Sequence, residues 1–198
     1  MPGLLDVKKQ LVFYGAYHDH PVNVAIHVTF VPILLWTGLV LGSRMPVPSF
    51  FPQIHERFND YLAFDLNWSA LWAIVNWLYY FMLEPFAAWS PDQLVYLPQQ
   101  VGIILTAASF SHKVDAVQTA LYIHIGSWIA QFAGHFLAEG RSPALLDNLL
   151  GALVLAPFFV HLEILFKFGY NPTLQKSVHK GITEEIARIK ALEAKKAR

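Results

Sequence analysis

The sequence predicts an all-α integral membrane helical bundle, and three observations lead there. Of its 198 residues, 55% are hydrophobic and only 14% are charged, with mean hydropathy +0.40, which is too apolar for an ordinary soluble domain. The apolar residues gather into four to five segments separated by polar or proline-containing breaks, and the clearest of these match a hydrocarbon core of roughly 30 Å. Trp68, Trp72, Trp77, Tyr79 and Tyr80 crowd one of them, and these side chains favour membrane interfaces. Cysteine is absent, which excludes disulfides and thiolate ligands and leaves nitrogen and oxygen donors for any metal. Zero net charge argues against nucleic acid as a partner.

Residues 1–17 mix Asp6, Lys8 and Lys9 with Leu4, Leu5, Leu11 and Phe13. Without a continuous apolar core or a small-residue cleavage site, they predict a retained amphipathic segment lying on the membrane. A first span covers 22–42 and ends before Arg44, Pro46 and Pro48. The helix start falls between Asp19 and Pro21, because proline suits a first turn and biases the preceding His20 away from helical geometry. Residues 49–65, with His55, Glu56, Arg57, Asp60 and Asp65, predict an exposed loop or surface helix in which His55 is solvated.

A second span covers 66–83 and is closed by Glu84-Pro85. The third segment, 94–110, carries Pro98, Gln99 and Gln100 near its start and fits a short span or a re-entrant piece. After a polar turn at 111–115, a fourth span covers 116–137. The fifth stretch, 145–168, has Pro157 in mid-run with His161 and Glu163 nearby, which predicts a kink or a break, the latter compatible with a re-entrant hairpin. Basic residues at both ends favour cytosolic termini and an even number of crossings. The membrane-embedded domain is assigned to 1–172. A charged tail follows at 173–198, with Ile182, Ile186, Ile189 and Leu192 at helical spacing.

Two clusters carry chemistry. The first holds His18, His20, Asn23 and His27, where a water-soluble beginning meets an apolar helix. In an unbroken helix His18 and His27 would point to opposite faces. The break at Pro21 lets His18 fold back toward Asn23 and His27, which are one turn apart. A plainer arrangement, an interfacial His18 beside a hydrogen-bonded His27, fits these residues equally well. The second cluster places Gln131, His135 and Glu139 on one helical stripe beside Gly134, which allows close approach. Polar groups at such depth usually face a bundle interior or a functional cavity. If four spans alternate in direction, the start of the first and the end of the fourth share one side. His18, His27 and His135 can then converge, with Asn23, Gln131 and Glu139 around them. His112 falls on the other side in that arrangement, and His124 is too far along its helix to share an ion with His135.

Tyr17-His18 through Asn23 and His27 to Pro32, then Trp128, Gln131, Gly134-His135, Glu139 and Pro143-Ala144-Leu145, and finally Ala156-Pro157 with Glu163, resemble the DUF962, or Mpo1-like, family. The resemblance covers most of the chain. It implies an Fe(II)-dependent dioxygenase of the endoplasmic reticulum membrane that performs α-oxidation, shortening a long-chain 2-hydroxy fatty acid by one carbon, as in phytosphingosine breakdown. The family often carries His-His-Asn-Pro where this chain has His18-Asp19-His20-Pro21, so the second histidine of that pair is not an indispensable ligand unless Asp19 replaces it.

The resulting assignment has His18, His27 and His135 as iron ligands and catalytic residues together with Glu139. Tyr17, Asn23, Gln131 and Arg141 lie around the substrate or behind the ligands. His112 resembles part of a fungal His-Arg-Val-Asp block and is a second-tier ligand. The partners are the 2-hydroxy acid, dioxygen and membrane lipid. Imidazole and carboxylate ligands suit Fe(II), and a 2-hydroxy acid can chelate it through carboxylate and hydroxyl. A diiron hydroxylase would need His-x-x-His-His-type boxes, which are absent. A membrane scaffold or bis-histidine haem protein would use the same residues as helix glue or axial ligands.

Overall fold

The computed structural model describes residues 5–83, 93–140 and 149–196, which are mostly helical. The chain divides into two compact units, one built from Met1–Val28 with Gln131–Arg198 and the other from Thr29–Ala130.

In the first unit, α1 (Val7–Gly15) opens at Asp6, whose carboxylate accepts the Lys9 N–H at 3.0 Å. This is the side-chain cap that exposed helix-start N–H groups require. The segment expected to lie on a membrane surface instead buries Gln10, Leu11, Tyr14 and Gly15, and it packs against α6 (Leu149–Lys167) and α7 (Pro172–Lys196). Helix α6 supplies the core residues Phe158, Phe159, Val160, Leu162, Leu165 and Phe166. It runs unbroken through Pro157, so the predicted break and re-entrant hairpin are not there. The lost backbone hydrogen bond costs about 3 kcal/mol in a helix interior, but burying several large side chains at roughly 1.5–3 kcal/mol each outweighs it.

Helix α2 (Pro21–Gly42) begins at the proline as expected and tolerates an interior Pro32. Its first eight residues belong to the first unit. In the second unit, Leu39 and Val40 of α2 pack with Ala107 of α4 (Gln93–Ser111) and with Ala116 and Ala120 of α5 (Ala116–Ala133). Helix α3 (Trp68–Leu83) is tied to α2 where Ser69 Oγ donates to the Leu39 carbonyl at 2.7 Å. Helix α4 is continuous across Pro98. The stretch expected as a loop or surface helix contains an antiparallel hairpin, β1 (His55–Arg57) with β2 (Ala63–Asp65), in the register His55 to Asp65. Asn59 Oδ1 accepts the N–H groups of Tyr61 and Leu62 at 2.8 and 2.9 Å, which closes the turn.

Among the described residues one helix, α2, is long and apolar enough to cross a membrane. Exposed apolar side chains nevertheless line one face of α5 at Leu121, Ile125 and Ile129, spaced one turn apart. Glu84-Pro85 lies outside the described residues.

The α1–α7 contact is reciprocal: a Cβ on Gly15 would land on Ile182, and one on Gly181 would land on Val12. Val12 is β-branched and stiff, so Gly181→Ala should destabilise the protein by about 1–3 kcal/mol through overpacking, although on an open helix face the same change gains about 1 kcal/mol. Thermal melting checks this. An increased Tm would mean that α7 does not press on α1.

Candidate metal centre

Three imidazoles meet in the first unit, each brought by a different local device. His18 follows α1, in the turn where its backbone N–H reaches the Gly15 carbonyl at 3.0 Å. Pro21 starts a new helix three residues later, so His18 is free of the α2 register. His27 lies nearly two turns into α2. His135 comes from a π-helical turn, Gly134–Glu139, that continues α5. All three are buried, and one ring nitrogen from each lies within 4.8 Å of the others. Their planes are steeply inclined, at 78° for His18 and His27, 69° for His18 and His135, and 80° for His27 and His135.

The hydrogen bonds assign the nitrogens. His18 Nδ1 lies 2.8 Å from the Tyr14 carbonyl, and His27 Nδ1 lies 3.0 Å from the Asn23 carbonyl. A carbonyl oxygen only accepts, so both Nδ1 atoms carry the proton and both Nε2 atoms present lone pairs. Those two Nε2 atoms are 3.0 Å apart. A cation between or beside two lone pairs facing at that distance would relieve their repulsion, and the cluster could hold a metal ion. A proton is disfavoured, because burial, reinforced by the neighbouring His27, holds His18 well below its ordinary pKa even against the opposing hydrogen bond to Tyr14. His135 Nδ1 is buried with no partner. A metal suits this set: ligands at a right angle with bonds of about 2.1 Å have nitrogens about 3.0 Å apart. Axial ligands of one haem iron would stand roughly 4 Å apart across the metal, so the pair is too close for that role.

Aromatic rings wall the centre. Tyr14 stacks on His18 with centroids 4.0 Å apart and planes 5° apart, and Phe159 packs on Tyr14 at 4.4 Å and on His18 at 5.9 Å. Burial pushes the Tyr14 phenol up, so it stays neutral.

The other sequence-nominated residues take distinct places. Glu139 Oε1 accepts the His20 backbone N–H at 2.7 Å and Asn23 Nδ2 at 3.2 Å. An i→i+5 ladder holds more residues per turn than an α-helix, so Glu139 leaves the stripe of Gln131 and His135 and braces the start of α2. Asn23 Nδ2 also reaches the Tyr17 carbonyl at 3.4 Å, and the Tyr17 ring lies beside Phe13. Asn23 Oδ1 presses on Gly134, where a Cβ would strike it. Gln131 is buried, and neither its amide oxygen nor its amide nitrogen has a partner. His20 Nδ1 accepts the Val22 N–H at 3.2 Å, capping α2. Arg141 and Pro143-Ala144-Leu145 lie outside the described residues.

His112, nominated as a second-tier ligand, is not among the three. Its Nε2 contacts Asp65 Oδ2 at 2.8 Å, while His55 Nδ1 takes Asp65 Oδ1 at 3.0 Å. His55 is exposed as expected but paired. His124 is satisfied elsewhere: Trp128 Nε1 donates to its Nε2 at 3.0 Å, and its Nδ1 contacts Thr37 Oγ1 at 2.8 Å.

A family model described as 2-hydroxy-palmitic acid dioxygenase Mpo1-like matches residues 4–168. The chain belongs to this family. This Mpo1-like chain is also 35% identical over 177 residues, 89% of each chain, to the Saccharomyces cerevisiae protein named 2-hydroxy-palmitic acid dioxygenase MPO1. No solved structure matches it. The family match covers all of α6, whereas α7 lies beyond it.

The contact between Gly134 and Asn23 positions two ligands at once, since Asn23 holds His27 through its carbonyl and Gly134 precedes His135. Gly134→Ala should therefore weaken metal binding about tenfold or more, in the range seen when groups behind the ligands are disturbed. Titration with a divalent cation checks this. Unchanged affinity with the fold intact would show that Gly134 does not set the ligand spacing.

Proposed function

We propose that this chain is an Fe(II)-dependent dioxygenase that converts a long-chain 2-hydroxy fatty acid into the acid one carbon shorter. The observation that carries the reading is the facing pair of His18 and His27 Nε2 atoms, completed by His135. An all-imidazole set accommodates Fe(II), as it does zinc, copper and nickel, and leaves positions open for substrate and dioxygen. The S. cerevisiae relative's name supplies the substrate class.

In this reading His18, His27 and His135 hold the ion, and the Tyr14 and Asn23 carbonyls fix two of the rings. Glu139 keeps the start of α2, and therefore His27, in place. Tyr14 and Phe159 exclude water from the His18 side. Bound iron would supply a Lewis-acidic, redox-active centre that holds the carboxylate and 2-hydroxyl of the substrate. Overall, R–CHOH–COOH and dioxygen give R–COOH, carbon dioxide and water: the C1–C2 bond breaks, and the electrons that reduce dioxygen come from the substrate. No separate organic reductant is needed.

We further place the protein in the endoplasmic reticulum membrane with both termini cytosolic. Helix α2 and the exposed apolar face of α5 support a lipid surrounding, and the basic flanks support the orientation. The acyl chain would enter from the bilayer.

Anaerobic reconstitution with Fe(II), followed by mass spectrometry of the products from 2-hydroxypalmitate and dioxygen, tests the activity. The expected product is the fifteen-carbon acid, dependent on iron and lost in His135→Ala together with stoichiometric metal. Iron content and turnover unchanged in His135→Ala would overturn the ligand assignment, and a metal-loaded protein that yields no shortened acid would overturn the reaction.

A further inference from the structure

Gln131 presents an anomaly that metal ligation leaves unexplained. The side chain is 3% exposed. Both its amide oxygen and its amide nitrogen are shielded from solvent without a hydrogen-bond partner, although buried amides are almost always paired because an unpaired one is costly. Its neighbours offer no remedy. Asn23 Nδ2 is committed to Glu139 and the Tyr17 carbonyl, and Asn23 Oδ1 and His135 Nδ1, which are buried without partners of their own, do not pair with Gln131. His18 and His27 have given their N–H groups to carbonyls. Gln131 lies one helical turn before His135, which puts its unpaired amide on the side of the helix that carries His135.

A primary amide offers one acceptor and a pair of N–H donors. Its complement is a ligand with a hydroxyl donor beside an anionic acceptor. A 2-hydroxy carboxylate is such a ligand, and an unsubstituted fatty acid lacks the hydroxyl. We propose that Gln131 is a specificity-determining residue that hydrogen-bonds the head of the substrate, its Oε1 accepting from the 2-hydroxyl and its Nε2 donating to the carboxylate. The proposal rests on the substrate reading above and assigns discrimination between hydroxylated and plain acids to one side chain. A site built to pair a hydroxyl rejects the analogue without it, because its own polar group is then left unpaired. Gln131 is such a group, held unsatisfied until substrate arrives.

The test is binding, which does not depend on turnover. The metal-loaded protein is titrated anaerobically with 2-hydroxypalmitate and with palmitate, for wild type and Gln131→Met, which nearly preserves length and volume while removing the amide. Wild type should prefer the hydroxylated acid. Gln131→Met should lose roughly tenfold of that preference with metal content unchanged, and its ligand-free Tm should equal or exceed that of wild type because a buried unpaired amide has gone. Full retention of the preference in Gln131→Met would overturn the proposal, and so would a large fall in ligand-free Tm, which would mean that the amide is paired within the protein. A wild type that binds both acids equally would overturn the substrate reading instead. If Gln131→Met does not fold, Gln131→Glu serves: its carboxylate faces that of the substrate, so affinity for 2-hydroxypalmitate should fall at least tenfold, and unchanged affinity would overturn the proposal.

Discussion

The two Nε2 atoms of His18 and His27, 3.0 Å apart with their protons directed outward to backbone carbonyls, set the condition that the surrounding structure satisfies. Neither ring can relieve the contact by changing tautomer, since that would turn an acceptor toward a carbonyl oxygen. Neither can move far, because each carbonyl lies four residues before its own imidazole in the chain. The local backbone therefore shapes a pair of facing lone pairs that a cation could bridge. His135 closes the set.

Such a centre is unfavourable for folding, and its support comes from apolar packing a short distance away. Tyr14 and Phe159 stack around His18, and α1 is pinned between α6 and α7. The C-terminal helix therefore acts on the site through α1, even though it lies past the region that matches the family. Its surface is highly charged, but Val178 and Ile182 are buried, so only its outer face behaves as a solvated helix.

Much of the centre was legible because it depends on local rules. Proline at position 21 fixes a helix start, the break frees His18, and Asn23 with His27 shows the one-turn spacing. His135 was legible as a polar residue in an apolar run. The role of Glu139 was not, because α-helical spacing puts it on the His135 stripe, and nothing local announces the π-helical turn that rotates it toward His20 and Asn23. Pro157 misled for the opposite reason: its local rule is sound, but the packing of α6 overrides it. The hairpin at 55–65 had a signal in Asn59-Asp60 between short β-capable runs, masked by the density of charge. His112 was put forward by a resemblance to a fungal block, and its actual partner, Asp65, was not legible because it is 47 residues away and only the fold brings the two together.

Glu139 also bears on what the centre can bind. With its Oε1 accepting from the His20 N–H and Asn23 Nδ2, the ligands that meet at the centre are three neutral imidazoles. A divalent cation held by them keeps its full charge in a buried, poorly screened place, where an uncompensated charge is expensive. An anion from outside the protein would offset that charge. A carboxylate that brings a neighbouring hydroxyl meets this demand and fills more than one open position together. Among the described residues no carboxylate joins the three converging imidazoles, which favours an acid as substrate by electrostatics, independently of the acyl chain that follows it.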